Sequence, residues 1–155
     1  MKWMCVFVAA LGLACGWAVA AEEGTAGVDA AWVKAMKTNS VDGIIACYAD
    51  DAIAWFPGGP EHRGAKAIRA AYTEWLSGQT VKEVTLSETH YKTSGDVAVG
   101  WGKVTITLEE KATGKTSTMV ARFTGVAEKR DGHWVYVVDH ASAEPPPAPA
   151  SAPKE

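Results

Sequence analysis

One stretch near the C-terminus carries the strongest candidate for chemistry, because it places a histidine beside aromatic rings. In the alternating segment 133–143, His140 shares a face with Trp134 and Tyr136. An imidazole titrates near neutral pH and can act as a general acid or base. The alternative for His140 is a buried side chain hydrogen-bonded to the backbone. Asp139 points to the opposite face of a regular strand, so we predict that it pairs with a cation on a neighbouring strand.

Aromatic side chains recur along the chain and could form the wall of a ligand pocket. Rings supply large apolar surface, and small-molecule sites are lined mainly by such side chains. The alternative is that the same rings fill the core. The predicted wall consists of Trp32, Tyr48, Trp55, Trp101 and Tyr136.

Arg122 lies in the middle of a predicted strand, between Ala121 and Phe123. An inward arginine would bind an anionic ligand or pair with a carboxylate, because its guanidinium is always charged and donates as a planar fork. An outward arginine would be an ordinary cross-strand partner. The sequence leaves both open, and Arg122 is therefore kept as a pocket candidate.

Other reactive motifs are weaker. The segment 113–116 imitates the end of a phosphate-binding loop, but it joins two predicted strands, and Glu109 stands where the first glycine belongs. The Cys and His spacings fit no zinc site, so neither a metal nor another cofactor is predicted. Cys47 is the one cysteine beyond residue 20. A buried thiol is predicted there, with a catalytic nucleophile as the alternative.

The first half of the chain must position these residues with helices and a short hairpin. Apolar residues at helical spacing predict helices over 28–38 and 41–48, and the first is predicted to turn Asp29 to its polar face. A short strand over 52–56 ends at a Pro-Gly-Gly-Pro turn, because proline fixes φ and glycine allows positive φ. A short edge at 61–63 and a helix over 65–76 follow.

The second half alternates with a period of two and predicts four consecutive antiparallel strands. They are expected at 81–93, from 97 to about 110, at 116–129 and at 133–143. The apolar positions change parity at Gly102 and Lys103, which predicts a β-bulge there. Helices that are followed by consecutive antiparallel strands form an α+β pattern. We therefore predict three N-terminal helices packed on a curved, mainly antiparallel sheet.

The termini indicate export and a single domain. Residues 1–20 read as a signal peptide ending at Ala18-Val19-Ala20, with lipidation of Cys15 as the alternative. Predicted boundaries are 21–27 for a flexible leader, 28–143 for the domain and 144–155 for a disordered Pro/Ala-rich tail. The mature chain, secreted or periplasmic, would not be held at a membrane. Removing Lys2 changes the net charge from −3 to about −4, so nucleic acid is not an expected partner.

Several short motifs together resemble the nuclear transport factor 2-like superfamily. They are Tyr48-Ala-Asp-Asp-Ala52, Arg63-Gly64, Ile68, Gly95-Asp96, Arg122-Phe-Thr124 and Asp131-Gly-x-Trp134. Within it the chain is similar to the SnoaL-like and ketosteroid-isomerase-homologue group. The resemblance implies a cone-shaped fold with an interior pocket, a last strand that turns the face of His140 toward that pocket, and a homodimer formed through the sheet.

The same resemblance limits the chemistry. The general base of ketosteroid isomerases would fall at Phe56, and their two oxyanion donors at Trp32 and about Thr124. All three are changed, so steroid isomerisation by that mechanism is not supported. We expect an exported domain that binds a small molecule, with acid–base activity of an isomerase or hydrolase type led by His140. The alternative is a non-catalytic dimerisation or protein-interaction module, so whether the chain is an enzyme stays open.

Overall fold

The computed structural model describes residues 23–144, so the predicted signal peptide and nearly all of the predicted tail lie outside the described residues. Helix α1 spans Thr25–Lys37. It begins three residues earlier than predicted because Thr25, only 1% exposed, packs against Gly100 and Gly125, which have no side chains. The predicted leader over 21–27 therefore extends too far.

A second helix and the first strand replace one predicted helix. Helix α2 spans Val41–Ile45, where Ser40 accepts a hydrogen bond from the Gly43 N–H, and strand β1 spans Tyr48–Trp55. The prediction of a helix to residue 48 is wrong at its end. Tyr48 is buried like the helical positions before it, but its backbone has already joined the sheet beside Tyr136.

The predicted hairpin and third helix are confirmed. Strand β2 spans Glu61–Arg63 and pairs antiparallel with β1 across the proline- and glycine-rich turn, where Gly58 has a φ of +72°. Gly64 donates its backbone N–H to the Ala52 carbonyl. Helix α3 then spans Ala65–Gly78.

Four long strands complete a curved six-stranded sheet, which confirms the α+β architecture. They are β3 (Gln79–Ser94), β4 (Val97–Glu110), β5 (Thr116–Arg130) and β6 (His133–Ala143). The order is β2-β1-β6-β5-β4-β3, with β1 and β6 parallel and the other neighbours antiparallel. The helices cover one face of the sheet, hereafter its inner face, and the opposite face is its outer face.

The predicted bulge lies on a different strand. β4 pairs with β5 without interruption through Gly102, and its even-numbered residues from Ala98 to Leu108 are buried, apart from the half-buried Gly102. The extra residue is in β3, between Ser87 and His90, opposite Gly102. A Cβ on Gly102 would lie 2.9 Å from the Ser87 carbonyl oxygen. Gly102 therefore does not form the bulge itself but leaves room for the bulge in the neighbouring strand β3.

The bulge in β3 also places Leu86 and His90 on different faces of the sheet, although a regular strand would put both on one face. Leu86 lies opposite the buried Val104, whereas His90 lies opposite Trp101 on the outer face.

Across residues 23–144, no helix combines the length and apolar character needed to cross a membrane.

Candidate functional site

The inner face of the sheet, helices α1 and α3 and the β1–β2 turn enclose a cavity of about 720 Å³. Most of its wall is apolar, with side chains that include Met36, Phe56, Trp75, Leu86, Ile106, Met119 and Phe123. Exposed residues of the β1–β2 turn and of α3, among them Pro60 and Glu74, belong to the same lining. The cavity therefore reaches the surface at this mouth.

Five lining residues place polar groups at the inner end of this cavity, and we call them the polar floor. They are Asp29 and Trp32 from α1, Tyr72 from α3, and Tyr136 and Asp139 from β6. They are far apart in sequence and meet because α1 and α3 both lie over the inner face of the sheet.

A β-bulge in β6 turns Asp139 into this site. Tyr136 lies opposite Ala127, and Val138 lies opposite Val126, so Val137 is an extra residue in β6. The extra residue shifts the alternation of side chains by one position. Tyr136 and Asp139 consequently both face the cavity, although a regular strand would place them on opposite faces.

The Asp139 carboxyl lies deep in the protein but keeps part of its surface open to the cavity. Its Oδ2 atom accepts a hydrogen bond from the Tyr48 hydroxyl at 2.6 Å. Burial raises the pKa of Asp139 from 3.8 to about 6, and the hydrogen bond from Tyr48 opposes part of that rise. Near neutral pH this group is therefore mostly ionised but can hold a proton.

Three aromatic side chains form a hydrogen-bonded chain that ends at Asp139. The Trp32 Nε1–H donates to the Tyr72 hydroxyl at 3.0 Å, and the Tyr72 and Tyr48 hydroxyls lie 3.1 Å apart. Both tyrosines are buried. Burial is the main cause that raises their pKa values above the usual value of 10, so the hydroxyls stay protonated.

Asp29 and Tyr136 form a second carboxyl–tyrosine pair. The Tyr136 hydroxyl donates to Asp29 Oδ1. Asp29 is only 3% exposed, and its Oδ2 atom has no hydrogen-bond partner among the described residues. Burial raises the pKa of Asp29, while the hydrogen bond from Tyr136 opposes the rise. The prediction that Asp29 lies on the polar face of α1 is wrong.

His140 does not face the cavity, contrary to prediction, because the bulge at Val137 turns it to the outer face. It is exposed and lies opposite Thr124. Trp55 contacts it edge-to-face, with ring centroids 6.3 Å apart. Both line a separate, shallow hollow of about 540 Å³ rather than the cavity. Asp139 and His140 have thus exchanged the faces that a regular strand would give them.

Two further predicted pocket residues also lie on the outer face. Trp101 is 36% exposed and stacks on His90. Arg122 is exposed and lies opposite Lys103 and Ser142. The wall positions on β5 belong to its odd-numbered residues, such as Phe123, so an even-numbered arginine faces away from the cavity.

Of the remaining predicted residues, Trp32 and Tyr136 belong to the lining, while Tyr48 lies behind it and reaches the site through Tyr72 and Asp139. Asp29, Tyr72 and Asp139 are site residues that were not predicted from the sequence. A signal existed for Asp29, which stands three residues before Trp32 and so shares its face of the helix.

Metal-ligating side chains and the thiol of Cys47 are the other candidates for chemistry in the part of the chain that the structure describes. It contains no group of three or more His, Cys, Asp or Glu side chains arranged to hold a metal ion. Cys47 is buried, as predicted, and burial raises the pKa of its thiol to about 11. A thiol with that pKa is protonated near neutral pH and is a weak nucleophile.

Solved structures with this fold are numerous and distant in sequence. A protein from Xanthomonas campestris, named as a candidate calcium/calmodulin dependent protein kinase II association domain, is 27% identical with a TM-score of 0.70, over 78% of this chain and 86% of that one. A ketosteroid isomerase-like protein from Erwinia carotovora atroseptica is 22% identical with a TM-score of 0.68, over 78% and 94%.

An NTF2-like protein of unknown function from Rhodospirillum rubrum is 21% identical with a TM-score of 0.66, over 79% of this chain and 99% of that one. Among curated proteins, no sequence matches significantly. The profile of the SnoaL-like domain family matches residues 30–137, which is more than half of the chain and includes most of the fold described above. The chain belongs to the SnoaL-like domain family.

Proposed function

We propose that this protein binds a small, largely apolar molecule in its cavity and removes a proton from it with the Asp139 carboxylate. The observation that supports this most is the Asp139 carboxyl, buried and hydrogen-bonded by Tyr48, at the polar floor of a cavity whose wall is mostly apolar. Pockets of this shape, with a few convergent polar groups, are the usual form of a small-molecule site.

The acid–base properties of Asp139 suit a general base. Its pKa of about 6 leaves most of the group ionised near neutral pH, and a base works best when its pKa lies near the operating pH. Asp139 would take a proton from a C–H or O–H bond, and the electron pair would stay on the bound molecule. Returning the proton elsewhere gives an isomerisation, whereas loss of a leaving group gives an elimination.

Similar structures make this reaction class reasonable. One is named a ketosteroid isomerase-like protein, and another, from Streptomyces avermitilis, a candidate dehydratase of the NTF2-like family. Both activities in those names involve moving a proton. The base in this chain would differ from that of ketosteroid isomerases, which would fall at Phe56, because a phenyl ring cannot take a proton. The Phe56 ring instead packs on Tyr72.

A neutral aromatic probe tests the proposal without knowledge of the natural substrate. In the ring opening of 5-nitrobenzisoxazole, a base removes the C3 proton, the N–O bond breaks, and a coloured cyanophenolate forms. We expect wild-type protein to accelerate this reaction and Asp139→Asn to lose at least about 100-fold of the acceleration, as loss of a general base does. The wild-type rate should rise with pH through about 6.

His140→Ala separates the present proposal from the prediction made from the sequence. This side chain lies on the outer face, so the variant should keep the wild-type rate. Equal rates for Asp139→Asn and wild type would overturn the proposal. Loss of activity in His140→Ala alone would restore the histidine as the base.

Self-association through the sheet is a second candidate property. Val97, Trp101 and Val120 lie on the outer face and are 48%, 36% and 37% exposed. Apolar patches of this kind often mark protein contacts, and one similar structure is named an association domain. Sedimentation should show a dimer that Trp101→Arg disrupts and that Lys66→Glu, a charge change on α3, leaves intact. A wild-type monomer would exclude this property.

Export is likewise a proposal, based on residues 1–20. Fractionation of cells that express the full chain should place it outside the cytoplasm, shortened by about 20 residues at its N-terminus.

A further inference from the structure

Hydrogen-bond donors at the polar floor can be counted, because each donor has a defined partner. An indole N–H can only donate, and an ionised carboxylate can only accept. Tyr48 gives its one hydroxyl proton to Asp139. The contact between the two tyrosines must therefore run from Tyr72 to Tyr48, and Trp32 donates to Tyr72. Each hydrogen bond in this series, from Trp32 through Tyr72 and Tyr48, is therefore donated in the direction of Asp139.

The second pair at the polar floor follows the same rule. The hydroxyl proton of Tyr136 is given to Asp29. Besides Asp29 Oδ2, the described residues contain two buried polar groups without a hydrogen-bond partner, the Thr25 hydroxyl and the Trp134 indole N–H. Neither Thr25 nor Trp134 lines the cavity. Asp139 Oδ1 is left as an oxygen without a described hydrogen-bond partner. The polar floor therefore offers a ligand hydrogen-bond acceptors, because each hydrogen-bond donor there already has a partner.

The charges around the cavity have one sign. Its described lining contains the carboxyl groups of Asp29, Glu74 and Asp139 and neither lysine nor arginine. Among the described lining residues, His62 at the mouth is the one other titratable side chain besides the tyrosines. It packs beside Phe56 with ring centroids 5.3 Å apart. An anion entering this cavity would leave water without gaining a cationic partner.

We propose that the cavity selects molecules that present a hydrogen-bond donor, a hydroxyl or a protonated amine, to Asp139 from an apolar body. It rejects carboxylates and molecules whose polar group is a carbonyl alone. The inference rests on the proposed function, since it concerns the same cavity, and it adds the class of ligand. A bound carbonyl oxygen would face acceptors and stay unpaired, which lowers affinity by about 10–100-fold.

Four ligands on one fluorescent skeleton test this selection. 9-Anthracenemethylamine and 9-anthracenemethanol carry donors, whereas 9-anthraldehyde and 9-anthracenecarboxylate carry acceptors only. At about pH 7.5, above the pKa of about 6 of Asp139, we expect fluorescence titration to show the amine and the alcohol binding at least about 10-fold more tightly than the aldehyde and the carboxylate.

The variant Asp139→Asn tests whether this carboxylate causes the selection. An asparagine amide can donate, so the preference for alcohol over aldehyde should fall toward unity. Asp51→Asn is the matched control, because Asp51 is exposed, pairs with Arg130 and lies outside the cavity lining. It should keep the wild-type preference.

Two results would overturn the inference: an aldehyde or carboxylate that binds wild type as tightly as the alcohol, or an unchanged preference in Asp139→Asn. The outcome is separable from that of the proposed function. Ring opening that depends on Asp139, together with a reversed ligand order, would retain the base and reject the ligand class. Absence of both ring opening and binding of all four ligands would reject both.

Discussion

Asp139→Asn should stabilise the protein at neutral pH, and the gain should vanish in acid. Burial raises the pKa of Asp139 from 3.8 to about 6, so the folded protein holds this proton more tightly than the unfolded chain does. Stability from such a group is fully present below the unfolded pKa and is lost as pH rises through the folded pKa. The ionised Asp139 therefore destabilises the fold above about pH 6.

The magnitude follows from the pKa change. From 3.8 to about 6 is about 2 pKa units, and each unit corresponds to about 1.36 kcal/mol, so ionisation costs the fold about 3 kcal/mol. Asparagine has a similar shape, no charge, and an oxygen that can accept from Tyr48. The variant should exceed wild type by about 3 kcal/mol at about pH 8 and by almost nothing at about pH 4.

Urea unfolding measured from about pH 4 to pH 8, followed by tryptophan fluorescence, gives the free energy of unfolding of both proteins. Asp29 is present in both, so most of its own titration cancels in the difference. Asp51→Asn is a control for which the opposite dependence of stability on pH is expected. Its hydrogen bond with Arg130 lowers the pKa of Asp51, so that carboxylate stabilises the fold at neutral pH and the stabilisation is lost as pH falls.

Parallel stability curves for wild type and Asp139→Asn would refute this reasoning. Parallel curves would mean that Asp139 titrates alike in the folded and unfolded chains, and the argument for a poised base would lose its physical ground. A variant less stable than wild type at about pH 8 would be equally contrary, because it would show that the ionised form is preferred by its surroundings.

Three further changes have defined outcomes. Tyr48→Phe removes a charge-assisted hydrogen bond worth about 1.5–3 kcal/mol, so the pKa of Asp139 should rise by about 1–2 units in a carbon NMR titration; an unchanged midpoint would contradict this. Gly100→Ala places a Cβ 2.9 Å from a tyrosine ring and should cost about 1–3 kcal/mol in urea unfolding, whereas Gly78→Ala, which meets open space, should not. Asn39→Ala removes two hydrogen bonds to the backbone of β3, of 2.8 and 3.0 Å, and should cost about 1–3 kcal/mol by the same measurement; no loss would show that those bonds are not needed.

The fold could be predicted because its signals are local and repeated. Alternation in the second half and helical spacing in the first are each supported by many residues, and the Pro-Gly-Gly-Pro turn fixes the hairpin between them. The end of α2 could not be predicted in this way. Tyr48 continues the helical spacing of Val41, Ile44 and Ile45, and it is buried as that spacing requires, but pairing with β6 decides its backbone.

The site was harder to predict than the fold, because it depends on pairing between distant segments. Tyr72 lies within the helix predicted over 65–76, but its hydroxyl gains a role only where α1 and β1 bring Trp32 and Tyr48 to it. Aromatic residues alone did not distinguish the two faces of the sheet. Trp101 is as large and apolar as Trp32, yet it lies outside because odd-numbered positions of β4 face outward.

The bulge in β6 explains why the wrong member of an adjacent pair was chosen. Val135, Val137 and Val138 are the same residue type, so an extra residue among them leaves no change of polarity for the sequence to show. A regular strand would put Asp139 and Tyr136 on opposite faces, whereas the bulge brings the carboxylate to the hydroxyl of the buried Tyr48. One inserted residue thereby decides whether the carboxylate of Asp139 or the imidazole of His140 faces the cavity. The carboxylate is a hydrogen-bond acceptor held by a series of donors, whereas the imidazole could both donate and accept.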